Sequence, residues 1–205
     1  VDTRYAYFNK LPSGPLGPLV LRSCKSMAKR LITLLLLVFF ASILVSSGYQ
    51  SQNEIVEMVC NQTSSHRFCA DALYSDRRSV NADQYTVAYI ALITTHSNAT
   101  NARNLMANLL EDPNISSNEV EALQRCCDEF ETAISCITSA YVDLNDETFS
   151  DLVRLASMAS LAADNCLAAY GNDVAPPDLV LSSIQEFKIL LEACKAVGNM
   201  YCGEL

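Results

Sequence analysis

An all-α fold, an up-down-up-down four-helix bundle preceded by a helical hairpin and stapled by disulfides, is predicted by three observations. First, apolar residues recur at alternating spacings of 3 and 4 through long stretches. Val120, Leu123, Cys127, Phe130, Ile134, Ile137, Tyr141 and Leu144 mark one helix over Ser117–Leu144. Phe149, Leu152, Ala156, Ala159, Ala163, Cys166 and Tyr170 mark another over Glu147–Tyr170. Such spacing lays one apolar seam on each helix, facing a partner. Second, the links between such stretches are short, which favours antiparallel neighbours, and no two-residue alternation competes for a sheet. Third, a turn at Asn145–Asp146 sets Cys126 and Cys166 at the same level of the two helices. Bridged cysteines need Cα atoms about 4.4–6.8 Å apart, so this pair can be joined.

In chain order, residues 1–26 hold Pro12, Gly14, Pro15, Gly17 and Pro18 and no periodicity. Met27 opens a different pattern: Lys29–Arg30, an apolar run Leu31–Val45, then Ser46-Ser47-Gly48. Basic, apolar, small is the layout of a secretory signal peptide over 27–48, with cleavage after Gly48 and residues 1–26 as translated upstream sequence. A membrane anchor is the competing reading. The run is fifteen residues interrupted by Thr33 and Ser42, short of the ~20 a span needs. The domain is then 49–205. Residues 50–78 read as a helical hairpin, with Ile55, Val56 and Val59 on one face and Phe68, Ala72 and Leu73 on the other. Cys60 and Cys69 enclose eight residues between them, and a bridge across so short a loop would contribute on the order of 2–3 kcal/mol. Asn81–Leu110 is the first long helix, with a stripe Tyr85, Tyr89, Leu92, His96, Ala99, Met106, Leu109, and Asp112-Pro113-Asn114 ends it. Ser116 three residues before Glu119 is a capping box for the second. The third stops at Gly171, suited to a left-handed C′ position. Pro176–Pro177 bar continuation, and the fourth starts near Asp178, runs through Val180, Ile184, Phe187, Leu191 and Cys194, and ends at Gly198.

Charge narrows the partners. Six of the 14 basic residues and one of the 23 acidic residues precede residue 49, so the remainder carries 8 basic and 22 acidic side chains, a formal charge of −14. A nucleic acid or an anionic membrane face is a poor ligand for such a surface, and a basic protein is a suitable one. Eight cysteines remain after the leader: Cys60, Cys69, Cys126, Cys127, Cys136, Cys166, Cys194 and Cys202. In an exported chain they read as disulfides. Acceptor sequons at Asn61, Asn98 and Asn114 agree with export. Catalytic and metal chemistry is sparse. His66 lies in the Cys60–Cys69 loop, and His96 on the apolar stripe reads as a core histidine. No zinc-ligand spacing and no glycine-rich phosphate loop occurs. Acidic pairs such as Asp128–Glu129 and Asp146–Glu147 read as solvated helix surface or caps. A binding module without cofactor or metal is expected, and not an enzyme.

Two families share parts of this pattern. Small plant lipid-transfer proteins are also secreted eight-cysteine bundles with an adjacent pair like Cys126–Cys127. They continue with Cys-x-Cys, however, whereas the cysteine after Cys136 here is Cys166, and they are much shorter. The segment Cys60–Cys202 instead resembles the plant invertase/pectin methylesterase inhibitor family. Cys60-x8-Cys69, then Ala72-Leu73-x-Ser75-Asp76-x-Arg78-Ser79 and Ala82-Asp83, is similar to that family's first block. Leu123-x-x-Cys126-x-x-x-Phe130-x-x-Ala133 is similar to its Leu-x-x-Cys-x-x-x-Tyr-x-x-Ala. Phe149 and Ser157, seventeen and nine residues before Cys166, follow its third block, and Cys194 resembles its unpaired fifth cysteine.

The resemblance implies disulfides Cys60–Cys69 and Cys126–Cys166, and a secreted protein that occludes the active-site cleft of a cell-wall or vacuolar carbohydrate enzyme. Invertase-directed members often carry Pro-Lys-Phe where this chain has Glu147-Thr148-Phe149. The family's Ser-Ala-Ala-Leu-Thr run is here Ser157-Met158-Ala159-Ser160-Leu161. Cys127, Cys136 and Cys202 are extra, and a Cys194–Cys202 bridge across Gly198 is one way to pair two of the remainder. The leading expectation is an apoplastic inhibitor of pectin methylesterase, docking 1:1 with an acidic face on a basic enzyme at mildly acidic pH. Invertase is the nearest alternative target. A non-inhibitory bundle or an apolar-ligand carrier is the reading from another class, and a carrier needs a cavity of some hundreds of Å³.

Overall fold

A computed structural model describes residues 53–171 and 175–203; the upstream segment 1–26 and the leader 27–48 lie outside the described residues. Six α-helices follow in order: α1 Glu54–Cys60, α2 His66–Tyr74, α3 Gln84–Leu109, α4 Ser117–Asn145, α5 Leu152–Ala169 and α6 Asp178–Cys202. A 3₁₀ turn, Arg77–Asn81, links α2 to α3. Among the described residues there is no strand.

Each boundary has a local cause. The Asn53 carboxamide accepts the Ile55 N–H at 2.9 Å and opens α1. Asp83 accepts the Thr86 N–H at 2.8 Å and opens α3. Ser116 and Glu119 form the reciprocal capping box of α4, with Ser116 N–H donating to Glu119 Oε2 at 3.2 Å and Glu119 N–H to Ser116 Oγ at 3.3 Å. That arrangement satisfies two of the amides a helix start leaves orphaned. At the far end of α5, Gly171 takes φ 62°, and after α6 Gly203 takes φ 71°, the left-handed geometry that closes a helix at least cost to glycine.

The four long helices pack in a ring: α3 on α4, α4 on α5, α5 on α6 and α6 back on α3. Leu123, Phe130, Ile137 and Leu144 repeat every seven residues along α4 and are fully inside. The Phe130 and Phe187 rings meet at the centre, 5.2 Å apart and tilted by 44°, within the range aromatic pairs favour. The α4–α5 seam is built from small residues, Cys126, Ala133 and Ala140 against Ala156, Ala159, Ala163 and Cys166, all buried. Small side chains allow a close approach, and the Cys126 and Cys166 Cα atoms lie 4.3 Å apart. The α1–α2 hairpin leans on α3 and α6.

Four sequence expectations shift. The third long helix begins at Leu152, not Glu147, because Glu147 and Phe149 adopt φ 56° and 54°, which no right-handed helix tolerates. The last helix runs through Gly198 to Cys202. Gly198 is there for proximity, since a Cβ on it would sit 2.7 Å from Val153 Cγ2. The stripe expected on α3 is rotated: Tyr85 and His96 are exposed, whereas Val87, Ala91 and Thr95 are buried beside Leu92, Ala99 and Met106. His96 is therefore not a core histidine. On α4, Cys126 and Ala133 replace Cys127 and Ile134 in the seam for the same reason. A helix touching two partners buries a broad face, so small residues flanking the apolar line go inside.

Candidate functional site

The bundle presents one end and one long face with features that packing alone does not require. At the end, the link between α4 and α5 is organised by Asp143. Its main-chain carbonyl accepts from Thr148 N–H at 3.2 Å and from Thr148 Oγ1 at 3.1 Å. Its carboxylate accepts a further bond from the Thr148 hydroxyl, and the Asp151 N–H at 3.0 Å. The Thr148 hydroxyl has one proton to share between the Asp143 carbonyl and carboxylate. With the two backbone N–H bonds this brackets Glu147 and Phe149, which sit at positive φ. That conformation costs on the order of 1–3 kcal/mol per residue unless the surroundings fix it. The Phe149 ring lies flat on Tyr201 of α6, centroids 4.1 Å apart and 2° from parallel. Burial pushes the Tyr201 phenol up to about 12. Tyr85 donates to Asn145 Oδ1 at 3.1 Å, tying the start of α3 to the same end. Arg154 makes a forked pair with Asp151, Nε–Oδ1 2.9 Å and Nη2–Oδ2 2.8 Å, and holds that carboxyl below its usual range.

Beside this end runs the outer groove between α4 and α5, about 530 Å³, with Asp128, Glu131, Thr132, Ser135, Cys136 and Ser139 on the α4 side and Leu155 and Met158 on the other. Met158 is 45% exposed and Leu161, one turn on, 60%. Exposed apolar side chains beside a polar, acidic rim are the make-up of a protein contact surface. Arg103 answers Glu131 at 2.6 Å and Arg125 answers Glu129 at 3.0 Å, while among the described residues no ion pair is found for Asp128. The groove therefore keeps a negative surplus. Reactive-group chemistry is poor here: burial pushes the Cys136 thiol up. Among the described residues no group of three or more His, Cys, Asp or Glu is placed to hold a metal ion, and no helix is long and apolar enough to cross a membrane.

The residues singled out from the sequence fall into three sets. Cys60–Cys69 and Cys126–Cys166 are disulfides, with Cα separations of 5.5 and 4.3 Å. Cys127, Cys136, Cys194 and Cys202 are free thiols. The Cys194–Cys202 bridge does not form, because both lie on one continuous helix, eight residues or about 12 Å of rise apart. Cys194 is instead sealed in the core, 3.2 Å from the Thr95 hydroxyl, and burial pushes its thiol up to about 11. His66 pairs with Glu57 at 2.9 Å on the hairpin. His96 opens onto a small apolar recess with Leu92, Ile93, Ile137, Thr138 and Tyr141. Sequence reasoning missed Asp143 and Tyr201, which left no signal, and it named Met158 and Leu161 only within the run that departs from the family's Ser-Ala-Ala-Leu-Thr.

With this geometry in view, comparison with known proteins is specific. Residues 54–196 match the family model described as plant invertase/pectin methylesterase inhibitor, and the chain belongs to that family. It is 35% identical over 141 residues to the cell wall / vacuolar inhibitor of fructosidase 2 of Arabidopsis thaliana, covering 68% of this chain and 76% of that protein. The fold is shared with crystal structures of a pectin methylesterase inhibitor from Arabidopsis. A mutant form superposes with a TM-score of 0.63 at 23% identity, over 71% of this chain and 95% of that one. A second structure gives 0.55 at 21% identity, over 71% and 94%.

Proposed function

We propose that this protein is an exported inhibitor of a plant β-fructosidase (an invertase), which it blocks by docking the acidic α4–α5 groove and the adjoining Asp146–Asp151 loop against the enzyme. The observation that carries the target is the 35% identity to an inhibitor of fructosidase across two thirds of the chain. The mechanism needs no chemistry from the inhibitor. A rigid, disulfide-stapled face offers Met158 and Leu161 as apolar anchors and unpaired carboxylates for electrostatic guidance, so little order is lost on binding. The reading supports residence in the cell wall or vacuole, reached through the 27–48 leader.

Pectin methylesterase is the second reading. It is favoured by one observation: Glu147-Thr148 replace the Pro-Lys pair that precedes the phenylalanine in many invertase-directed members, making this loop acidic and better suited to a basic enzyme.

Titrating the oxidised protein against plant acid invertase and pectin methylesterase in parallel tests both. Stoichiometric loss of invertase activity alone supports the first reading, and loss of pectin methylesterase activity alone supports the second. Full activity of both enzymes beside a folded helical protein sinks the inhibitor assignment for these targets. Met158→Asp with Leu161→Asp, both at exposed positions, should weaken inhibition at least about tenfold without lowering stability.

A further inference from the structure

Between α3 and α4 the packing leaves a recess of about 210 Å³, lined by Leu92, Ile93, His96, Ile137, Thr138 and Tyr141. It shares no lining residue with the acidic α4–α5 groove. Leu92 and Ile137 are 2% and 1% exposed and floor it with core aliphatic side chains. His96 and Thr138 are exposed and stand at its mouth, and half-buried Tyr141 forms one wall. That wall is buttressed. Tyr141 leans on Tyr89, centroids 5.6 Å apart and tilted by 57°. Tyr89 in turn lies under the Arg78 guanidinium, 4.9 Å from the ring centroid, and Asp76 grips that guanidinium through a fork.

Three polar groups around this apolar floor have bonding capacity left. Thr138 Oγ1 donates to the Ile134 carbonyl at 2.9 Å, so its proton is used and its lone pairs can still accept. The bond at His96 runs through its main-chain carbonyl, which accepts from the Thr100 hydroxyl at 2.9 Å. Among the described residues neither the His96 ring nor the Tyr141 hydroxyl has a hydrogen-bond partner. No Asp, Glu, Lys or Arg is among the lining residues.

We propose that this recess is a binding site for an uncharged monophenol, a single aromatic ring bearing one hydroxyl. The volume is below the ~300–1,000 Å³ of sites for drug-sized molecules and suits one ring with a short substituent. A flat ring covers the aliphatic floor and meets Tyr141 tilted or offset, as aromatic pairs favour. Its hydroxyl donates to Thr138 Oγ1 and accepts from the N–H of the His96 ring. A carboxylate or an ammonium entering the recess would give up hydration with no opposite charge to meet it. A sugar would press several hydroxyls against Leu92, Ile93 and Ile137 without partners. The inference stands apart from the inhibitor reading.

The test is titration of 4-methylphenol, and separately of toluene, into the secreted, oxidised product of the full chain at neutral pH. Ligand-proton NMR line widths report binding. Saturable 1:1 binding of 4-methylphenol is expected, with Kd on the order of 1 mM or tighter. It should bind about fivefold tighter than toluene, although toluene leaves water more readily. Thr138→Leu places a larger apolar side chain over the mouth from an exposed helix position. It should keep the parent's Tm and weaken binding at least about tenfold. His96→Ala, also at an exposed position, should weaken it about fivefold. Gln124→Leu, exposed on α4 away from the recess, should bind like the parent. No saturation at ten times the expected Kd, or toluene binding as tightly as 4-methylphenol, overturns the proposal. So does parent-like affinity in both recess variants, or an equal loss in Gln124→Leu.

Discussion

Removing the two disulfides one at a time should cost different amounts, and the difference follows from the loops they close. Cys60–Cys69 spans a sequence separation of 9, and Cys126–Cys166 a separation of 40. The chain-entropy relation then gives about 2.6 kcal/mol for the first and about 3.9 kcal/mol for the second at 25 °C. All four half-cystines are fully buried, so the packing lost on replacing each pair by alanine is similar and largely cancels in the comparison. The sharper quantity is the gap, about 1.3 kcal/mol. For a domain of this size that is about 3–5 °C in Tm. The assay is urea unfolding of Cys60→Ala/Cys69→Ala, Cys126→Ala/Cys166→Ala and the parent, followed by far-ultraviolet circular dichroism. Both variants should also show a larger m-value, since an uncrosslinked denatured chain exposes more surface. A Cys126→Ala/Cys166→Ala protein as stable as the parent, or more stable than the hairpin variant, would refute the entropic argument. It would show instead that the α4–α5 pair is held by its alanine seam alone.

Three further outcomes follow from named contacts. Gly198→Ala should destabilise by about 1–3 kcal/mol, because crowding outweighs the ~1 kcal/mol gain in helix propensity. Adding Val153→Ala should recover part of that loss in thermal melts, since Val153 Cγ2 is the atom a new Cβ meets at 2.7 Å; equal losses in the single and double variants would disprove the contact. An alkylating reagent at pH 8 should label exposed Cys202 first, half-buried Cys127 slowly, and Cys136 and Cys194 only on unfolding, as mapped by peptide mass. Asp76, Asp83, Glu119 and Asp151 are all held below the usual carboxylate range, Asp76 and Asp151 by Arg78 and Arg154, Asp83 by Thr86 and Glu119 by Ser116. Their folded forms bind protons less readily than the unfolded chain, so their contribution is present above about pH 4 and is lost as pH falls through their lowered values. Urea midpoints should be flat from about pH 7 to 5 and drop below 4, and Asp76→Asn should blunt the drop.

What the sequence disclosed and what it withheld separate along one physical line. Burial of large apolar side chains repeats with the helix period, so the four-helix plan, the capping box at Ser116–Glu119 and the level pairing of Cys126 with Cys166 were legible from spacing alone. Interhelical closeness is set by small residues, and these leave a weak signal. Ala133 and Ala140 are in the seam while Ile134 and Tyr141 stand at its edge, because an alanine between two helices excludes water at a shorter approach than an isoleucine allows. Gly198 misleads for the same reason: glycine ends helices and also admits neighbours, and only the partner's position tells the two uses apart. The α4–α5 loop was illegible in a stronger sense. Positive φ is uncommon for any residue other than glycine and an outlier for one as bulky as Phe149, and no glycine or asparagine stands at 147 or 149 to signal it. They are held by Asp143 and Tyr201, the first on the preceding helix and the second some fifty residues further along the chain. A conformation imposed from outside the segment cannot be read within it. That same dependence makes the loop a fixed feature of the surface rather than an adaptable one. In the docking mode proposed above, a loop whose backbone is already fixed would lose less entropy on meeting an enzyme than a mobile one.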